Sequence, residues 1–201
     1  RGAIAWKYAA EQGTTVLREI QISVGRTGAL TPVAIMDPVQ LAGTTVTRAS
    51  LHNMDEIERL DVRIGDTVIV EKAGDIIPKI IQVLPALRTG KEKRFHMPKN
   101  CPMCHAPVER REGEVATVCT NRSCFAQDLA RLLHFVSRAA LDIRGLGDKI
   151  VEQLLQTGLV SEPADYFELT AGDFLGLEGF GEVSANKLVK EIQSHSSARL
   201  D

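Results

Sequence analysis

The sequence predicts a multidomain protein in three parts: a small all-β barrel, a four-cysteine metal module and an all-α region. Three observations predict it. Val-, Ile- and Thr-rich runs broken by Gly, Asp and Pro fill residues 1 to about 85. All the cysteines fall between Cys101 and Cys124. From Asp128 onward the apolar residues take helical spacing.

Composition sets the limits. A chain of 201 residues has room for one large domain or two or three small ones. Aromatic residues make up 4%, so the cores must be built from Val, Ile, Leu and Ala. The formal net charge of −2 gives no global attraction to a polyanion, so such a surface must come from local clustering. No apolar run is long enough to span a membrane, and no signal peptide is expected. The opening "RGAIAWKY" reads as the middle of a strand, which makes a piece of a longer protein the expectation.

In the first part, "TTVLREIQISVGRTG", "LTPVAIMDPVQLAGTTVTRAS" and "IGDTVIVEKAGDIIPKIIQVLP" read as strands. Alternation through Val16, Arg18, Ile20, Ile22 and Val24 is imperfect, as expected for strands buried on both faces. "NMDEIERLDV" reads as a short helix capped by Asn53 or Asp55, with Ile57 and Leu60 turned inward. Short strands with one inserted helix fit a Greek-key barrel of the OB type. Residues 86 to 100, "ALRTGKEKRFHMPKN", oppose Arg88, Lys91, Lys93, Arg94 and Lys99 to Glu92 alone. They read either as a solvated basic linker or as a stretch that tracks phosphates.

The cysteines, Cys101, Cys104, Cys119 and Cys124, are spaced C-x2-C-x14-C-x4-C. Two tight turns each offer two thiolates, and four soft anionic sulfurs in a tetrahedron suit structural Zn2+. So short a segment buries too little apolar surface to fold unaided, and zinc supplies the missing free energy. Disulfides lack any mark of secretion, and an iron–sulfur cluster is disfavoured by the two-pair spacing. Cys101-Pro-Met-Cys104-His105 matches a c-type haem attachment pattern, which leaves Cys119 and Cys124 without a purpose.

In the last part, "DLARLLHFVSRA" places Leu129, Leu132, Leu133 and Val136 on one helical face. "KIVEQLLQTGLV", "PADYFEL" and "EVSANKLVKEIQSH" are further short helices. "LDIRGLGDKIVEQLL" and "LGLEGFGEVSANKLV" share one pattern, so Gly145 and Gly147 correspond to Gly179 and Gly181. Glycines permit a tight turn, and the following helix begins with unpaired amides that bind phosphate without reading bases. This is a helix-hairpin-helix pattern, set against the plainer reading of two Gly-containing turns. Lys149 and Lys187 stand near the helix starts.

"AIAWKY", "VGRTGALTPVA", "PVQLAGTTVTRASLHNMDEI", "IGDTVIVEKAGDIIPKI", the four cysteines and the two Gly hairpins follow one another along the whole chain. In that order they resemble the bacterial NAD-dependent DNA ligases. The resemblance implies that residues 1–8 are the last strand of the adenylation domain, 9–87 an OB-fold and 88–100 a basic linker. It likewise implies a zinc finger at 101–127 and a truncated helix-hairpin-helix region at 128–201, in a family whose chain ends in a BRCT domain.

The implied activity is the sealing of nicks in duplex DNA through enzyme-AMP and DNA-AMP intermediates, in replication and repair, with NAD and Mg2+ in the full enzyme. The family's nucleophilic lysine lies in K-x-D-G, which is absent; Lys72-Ala-Gly-Asp75 only approaches it. The chain alone is therefore expected to be inactive. Lys7 matches the lysine of the final adenylation motif, which binds nucleotide. Arg26, Thr27, Lys72, Ile76 and Ile77 match positions at which the family touches DNA beside the nick. The cations would meet phosphate and the isoleucines would lie against the minor groove. The family often has Arg where this chain has Lys72, and Val at Ile76, so a less directional contact is expected. Gly145, Gly147, Gly179 and Gly181 complete the implied DNA-binding set. Nicked duplex is the expected partner, without membrane, for a monomer in the bacterial cytoplasm associated with the nucleoid. The alternative is a non-enzymatic structural DNA-binding protein that combines the same modules.

Overall fold

The computed structural model describes residues 10–72 and 78–197. The chain forms two compact units, residues 1–121 and 122–201.

The first unit is built on two long strands, β1 (Glu11–Val24) and β2 (Ala29–Leu41). It continues with β3 (Thr44–Ser50), α1 (Met54–Leu60), β4 (Arg63–Ile64), β5 (Thr67–Lys72) and β6 (Lys79–Val83). β1 pairs antiparallel with β5 over its first half and with β2 over its second. β2 pairs with β3, β3 meets β6 in parallel at Ser50 and Lys79, and β6 returns to β5. Among the described residues, β1, β2, β3, β6 and β5 therefore close a ring, the five-stranded OB-like barrel that the sequence predicts.

The imperfect alternation in β1 has a local cause. The register shifts between Leu17 and Glu19, so the buried positions pass from Thr15 and Leu17 to Ile20. A β-bulge has changed the phase of the strand, letting it turn from one neighbour to the other. Leu17, Ala34, Leu41, Leu51, Val68 and Val70 fill the interior, all at 1% exposure or less. α1 is capped by Asn53, whose side-chain oxygen accepts from the Glu56 amide at 3.0 Å. It drops Ile57 into the barrel core, with Leu60 packed at its edge.

A buried carboxylate ties the following segment to this barrel. Asp66 is 1% exposed. It accepts from the Arg63 amide at 2.7 Å and from two guanidinium nitrogens of Arg88 at 2.7 and 2.9 Å. Arg88 also reaches the Asp61 carboxylate at 2.7 Å, and the two carboxylates raise its pKa further. Beyond it, Glu92 accepts from the Thr89 and Gly90 amides, which lower its pKa to about 2, and β7 (Lys93–Arg94) pairs with β4. Residues 88 to 94 lie against the barrel.

The chain then forms a hairpin of β8 (Val108–Arg110) and β9 (Thr117–Cys119). β9 pairs with the start of β2, Ala29 with Val118 and Leu30 with Thr117.

The second unit is helical among its described residues. α2 (Phe125–Val136) buries Leu132 and Val136, with Leu129 and Leu133 beside them. α3 (Asp148–Gln156) and α5 (Glu182–Ser194) follow the two glycine-containing turns. "PADYFEL" is a 3-10 segment, Pro163–Glu168, rather than an α-helix. Pro163 fixes its first turn, and Tyr166 is fully buried against Phe135. α4 (Ala171–Leu175), which the periodicity does not announce, is set by Thr170 and Asp173. The Asp173 carboxylate accepts from the Thr170 amide and hydroxyl, both at 2.7 Å.

Removing Asp66 by Asp66→Ala takes two hydrogen bonds from the Arg88 guanidinium and leaves it the Asp61 carboxylate. We expect the barrel to lose about 2 kcal/mol in urea unfolding. The helix-start carboxylates give a pH dependence. Asp165 and Asp173 have folded pKa values held below the ordinary one, chiefly by the Ser161 amide for Asp165 and the Thr170 hydroxyl for Asp173. Their stabilisation is present above the unfolded value of about 4 and is lost as pH falls through the folded value. Thermal scans should show the melting temperature falling in that range for the wild type and less for Asp165→Asn/Asp173→Asn.

Candidate functional site

The four cysteines converge. Cys101 and Cys104 sit on a tight turn in which the His105 amide donates to Cys101 O at 2.9 Å and the Cys101 amide to Ala106 O at 2.8 Å. His105 takes φ 59, a left-handed conformation, and its carbonyl accepts from Asn100 Nδ2 at 2.8 Å. Cys119 ends β9, and Cys124 is the N-cap residue of α2. All four sulfurs lie within 4.8 Å of one another, and Cys101, Cys119 and Cys124 are buried. Cys104 Sγ and Cys119 Sγ are 3.5 Å apart. Four sulfurs at about 2.3 Å from a shared ion stand about 3.8 Å from each other, so the cluster fits tetrahedral Zn2+. Burial pushes the Cys119 thiol up to about 12. His105 points to no haem chemistry here: all four thiols are used in one cluster.

The glycine turns form the second constellation. Gly145, Gly147 and Gly179 line one open cavity of about 1140 Å³, together with Lys149, Phe180 and Lys187. Gly145 and Gly179 take φ 99 and φ 86, which side chains rarely adopt, and a Cβ at Gly145 would come within 3.0 Å of Leu188. Gly147 and Gly181 differ. They are the N-cap residues of α3 and α5, with φ −85 and −117, and a Cβ on either would meet nothing within 4 Å. Neither backbone conformation nor packing requires glycine there, and Ser, Thr or Asp would cap the helix better.

Two side chains brace the turns across the cavity. Gln153 of α3 accepts from the Glu178 amide in the second turn at 2.9 Å, and Glu191 of α5 accepts from the Arg144 amide in the first at 3.4 Å. Spacing along the sequence carries no sign of either contact, because each links residues far apart in the chain.

Arg26 and Thr27 are exposed at the tip of the β1–β2 turn. Lys72 ends β5, where its ammonium donates to Thr44 Oγ1 at 2.7 Å. Lys7, Ile76 and Ile77 lie outside the described residues, so the expected nucleotide and minor-groove contacts have no geometry here. Arg88, read as a linker cation, is committed to Asp61 and Asp66.

Comparison with known proteins gives these constellations a family context. Residues 14–92 match the NAD-dependent DNA ligase OB-fold domain, and residues 100–126 match the NAD-dependent DNA ligase C4 zinc finger domain. The chain is 51% identical over 200 residues to a DNA ligase of Desulforamulus reducens. It is 51% identical over 201 residues to one of Shouchella clausii and 52% over 203 residues to one of Desulforudis audaxviator. In each case the match takes in 100% of this chain and 30% of the relative, so the chain spans under a third of the relatives' length.

The cysteine cluster is thus a structural zinc site. The purified chain should carry one zinc per molecule by elemental analysis. Cys101→Ser, which removes a fully buried ligand, should lower retained zinc severalfold and cost the module its resistance to proteolysis.

Proposed function

Because the chain belongs to the NAD-dependent DNA ligases, we propose that it is the part of such an enzyme that holds a nicked duplex while the strand is sealed. In this reading the intact protein uses NAD and Mg2+ to pass AMP to the enzyme and then to the 5′-phosphate of the nick, in replication and repair. The K-x-D-G motif is absent from these 201 residues, so the chain alone binds without ligating. Lys7 belongs to the nucleotide site, and Arg26, Thr27, Lys72, Ile76 and Ile77 to the barrel's DNA contacts. The working form is a monomer in the cytoplasm, associated with the nucleoid.

One observation supports the DNA-binding reading above the others: neither a left-handed backbone nor close packing requires glycine at Gly147 and Gly181, and Ser, Thr or Asp would cap their helices at least as well. A ligand that approaches the helix-start amides closely supplies the reason, since a Cβ would stand in its way. The two turns and the helices after them act in this proposal as helix-hairpin-helix elements, each offering its amides to a phosphate. Charge around the cavity is mixed, with Arg144, Lys149 and Lys187 opposed by Asp148, Glu178 and Glu191. Acidic residues also occupy the first turns, Asp148 in α3 and Glu182 in α5, and offset the helix dipoles. Attraction therefore comes from directed N–H groups, and each hairpin is a modest site that needs the other.

The test separates binding from folding. Gly147→Ser and Gly181→Ser, which add a Cβ but keep a good N-cap, should keep the melting temperature and lower affinity for nicked duplex by about tenfold each, comparable to losing one charge-assisted hydrogen bond. Gly145→Ala should lose stability as well, because its φ and Leu188 both oppose a side chain. Fluorescence anisotropy with nicked duplex at two salt concentrations measures this. Wild-type affinity from both serine variants would remove the reading.

A further inference from the structure

The metal centre and the β1–β2 turn are held by the same residue. Cys119 contributes its sulfur to the zinc cluster, and its backbone amide donates to the Gly28 carbonyl at 2.8 Å. The next two pairs along the strands, Ala29 with Val118 and Leu30 with Thr117, extend that contact. The turn itself is closed by two hydrogen bonds, Gly25 N–H to Ala29 O and Gly28 N–H to Gly25 O, both 2.9 Å. Gly28 is buried with φ 80, whereas Arg26 and Thr27 stand exposed at the tip.

β9 has little else to fix it. It is a strand of three residues, and its hairpin partner β8 is equally short. Isolated two-stranded hairpins of this size are not stable in water. A further tie of the hairpin to the first unit, among the described residues, is Arg110 with Asp55 of α1, at 2.8 and 2.9 Å, between side chains each 43% exposed. An exposed pair of that kind contributes little. The metal at the end of β9 is the strong restraint.

We propose that Cys119 is a positioning residue for the Arg26–Thr27 turn: zinc fixes the end of β9, and β9 fixes Gly28. The consequence for DNA rests on the proposed contact of Arg26 and Thr27 with the duplex; the coupling itself rests on the hydrogen bonds. Zinc then does more than fold its own module. It sets the conformation of a loop whose exposed residues contribute no ligand to it.

The experiment uses the whole chain, zinc-loaded or stripped with a zinc-selective chelator under reducing conditions, and follows amide exchange by NMR. Gly25 and Gly28 amides should exchange about tenfold faster or more without zinc, while Val68 and Val70 of β5, which does not pair with β9, change less than about twofold. Unchanged Gly25 and Gly28 exchange overturns the proposal. Equal acceleration at Val68 and Val70 overturns it too, since zinc would then support the whole barrel. Arg110→Ala with zinc bound should move Gly25 and Gly28 less than about twofold; a full effect would assign the turn to the ion pair instead. A separate arm measures nicked-duplex affinity. Stripping zinc should weaken the wild type more than Arg26→Ala, whose turn contact is already gone. If Arg26→Ala binds like the wild type, the DNA reading of the turn fails while the exchange data still decide the coupling.

Discussion

Closure of the barrel depends on one strand serving two neighbours. β1 gives its first half to β5 and its second to β2, and it can do so only by bending at the bulge between Leu17 and Glu19. Without that bend the sheet would remain open, and β2 and β5 would each present an unpaired edge. The bend also decides where the Arg26–Thr27 turn stands, because everything after Glu19 follows the new direction. β2 in turn has an edge free at Ala29 and Leu30, since β3 joins it only from Val33 onward. β9 takes that vacant stretch. The zinc hairpin is thus seated on a stretch of β2 that β3 leaves unpaired.

Much of this was legible in the sequence, for reasons that differ by element. The apolar spacing of Leu129, Leu132, Leu133 and Val136 named both α2 and its buried face, because a helix repeats regularly enough to be counted. Asn53 as a cap was one of two candidates, and its side chain makes the bond to Glu56. The cysteine cluster needed only spacing and donor chemistry. By contrast, the imperfect alternation of Val16 to Val24 was visible while its cause was not: a bulge is a property of pairing with a partner strand. The brief helix at Ala171–Leu175 was also missed, being too short to show a period and owing its start to the Thr170–Asp173 box.

The polar contacts were the least legible. Arg88 read as one cation in a basic stretch, yet it reaches back to Asp61 and Asp66. Nothing local distinguishes it from Lys91 or Lys93, because the partner that buries it lies in an earlier turn. Gln153 and Glu191 escaped for the same reason. Such residues set the distances on which a site depends without belonging to any motif.

The glycines carry the last step. A glycine at φ 99 or φ 86 is explained by its backbone, and Gly145 and Gly179 could be kept by folding alone. Gly147 and Gly181 cannot be explained that way, since their conformations suit any residue and the space around them is open. A pattern that looked uniform in sequence therefore separates, in three dimensions, into one glycine per turn that the backbone conformation calls for and one, at the helix N-cap, beside which the space is open. The difference between them is what turns a repeated turn motif into an argument about binding.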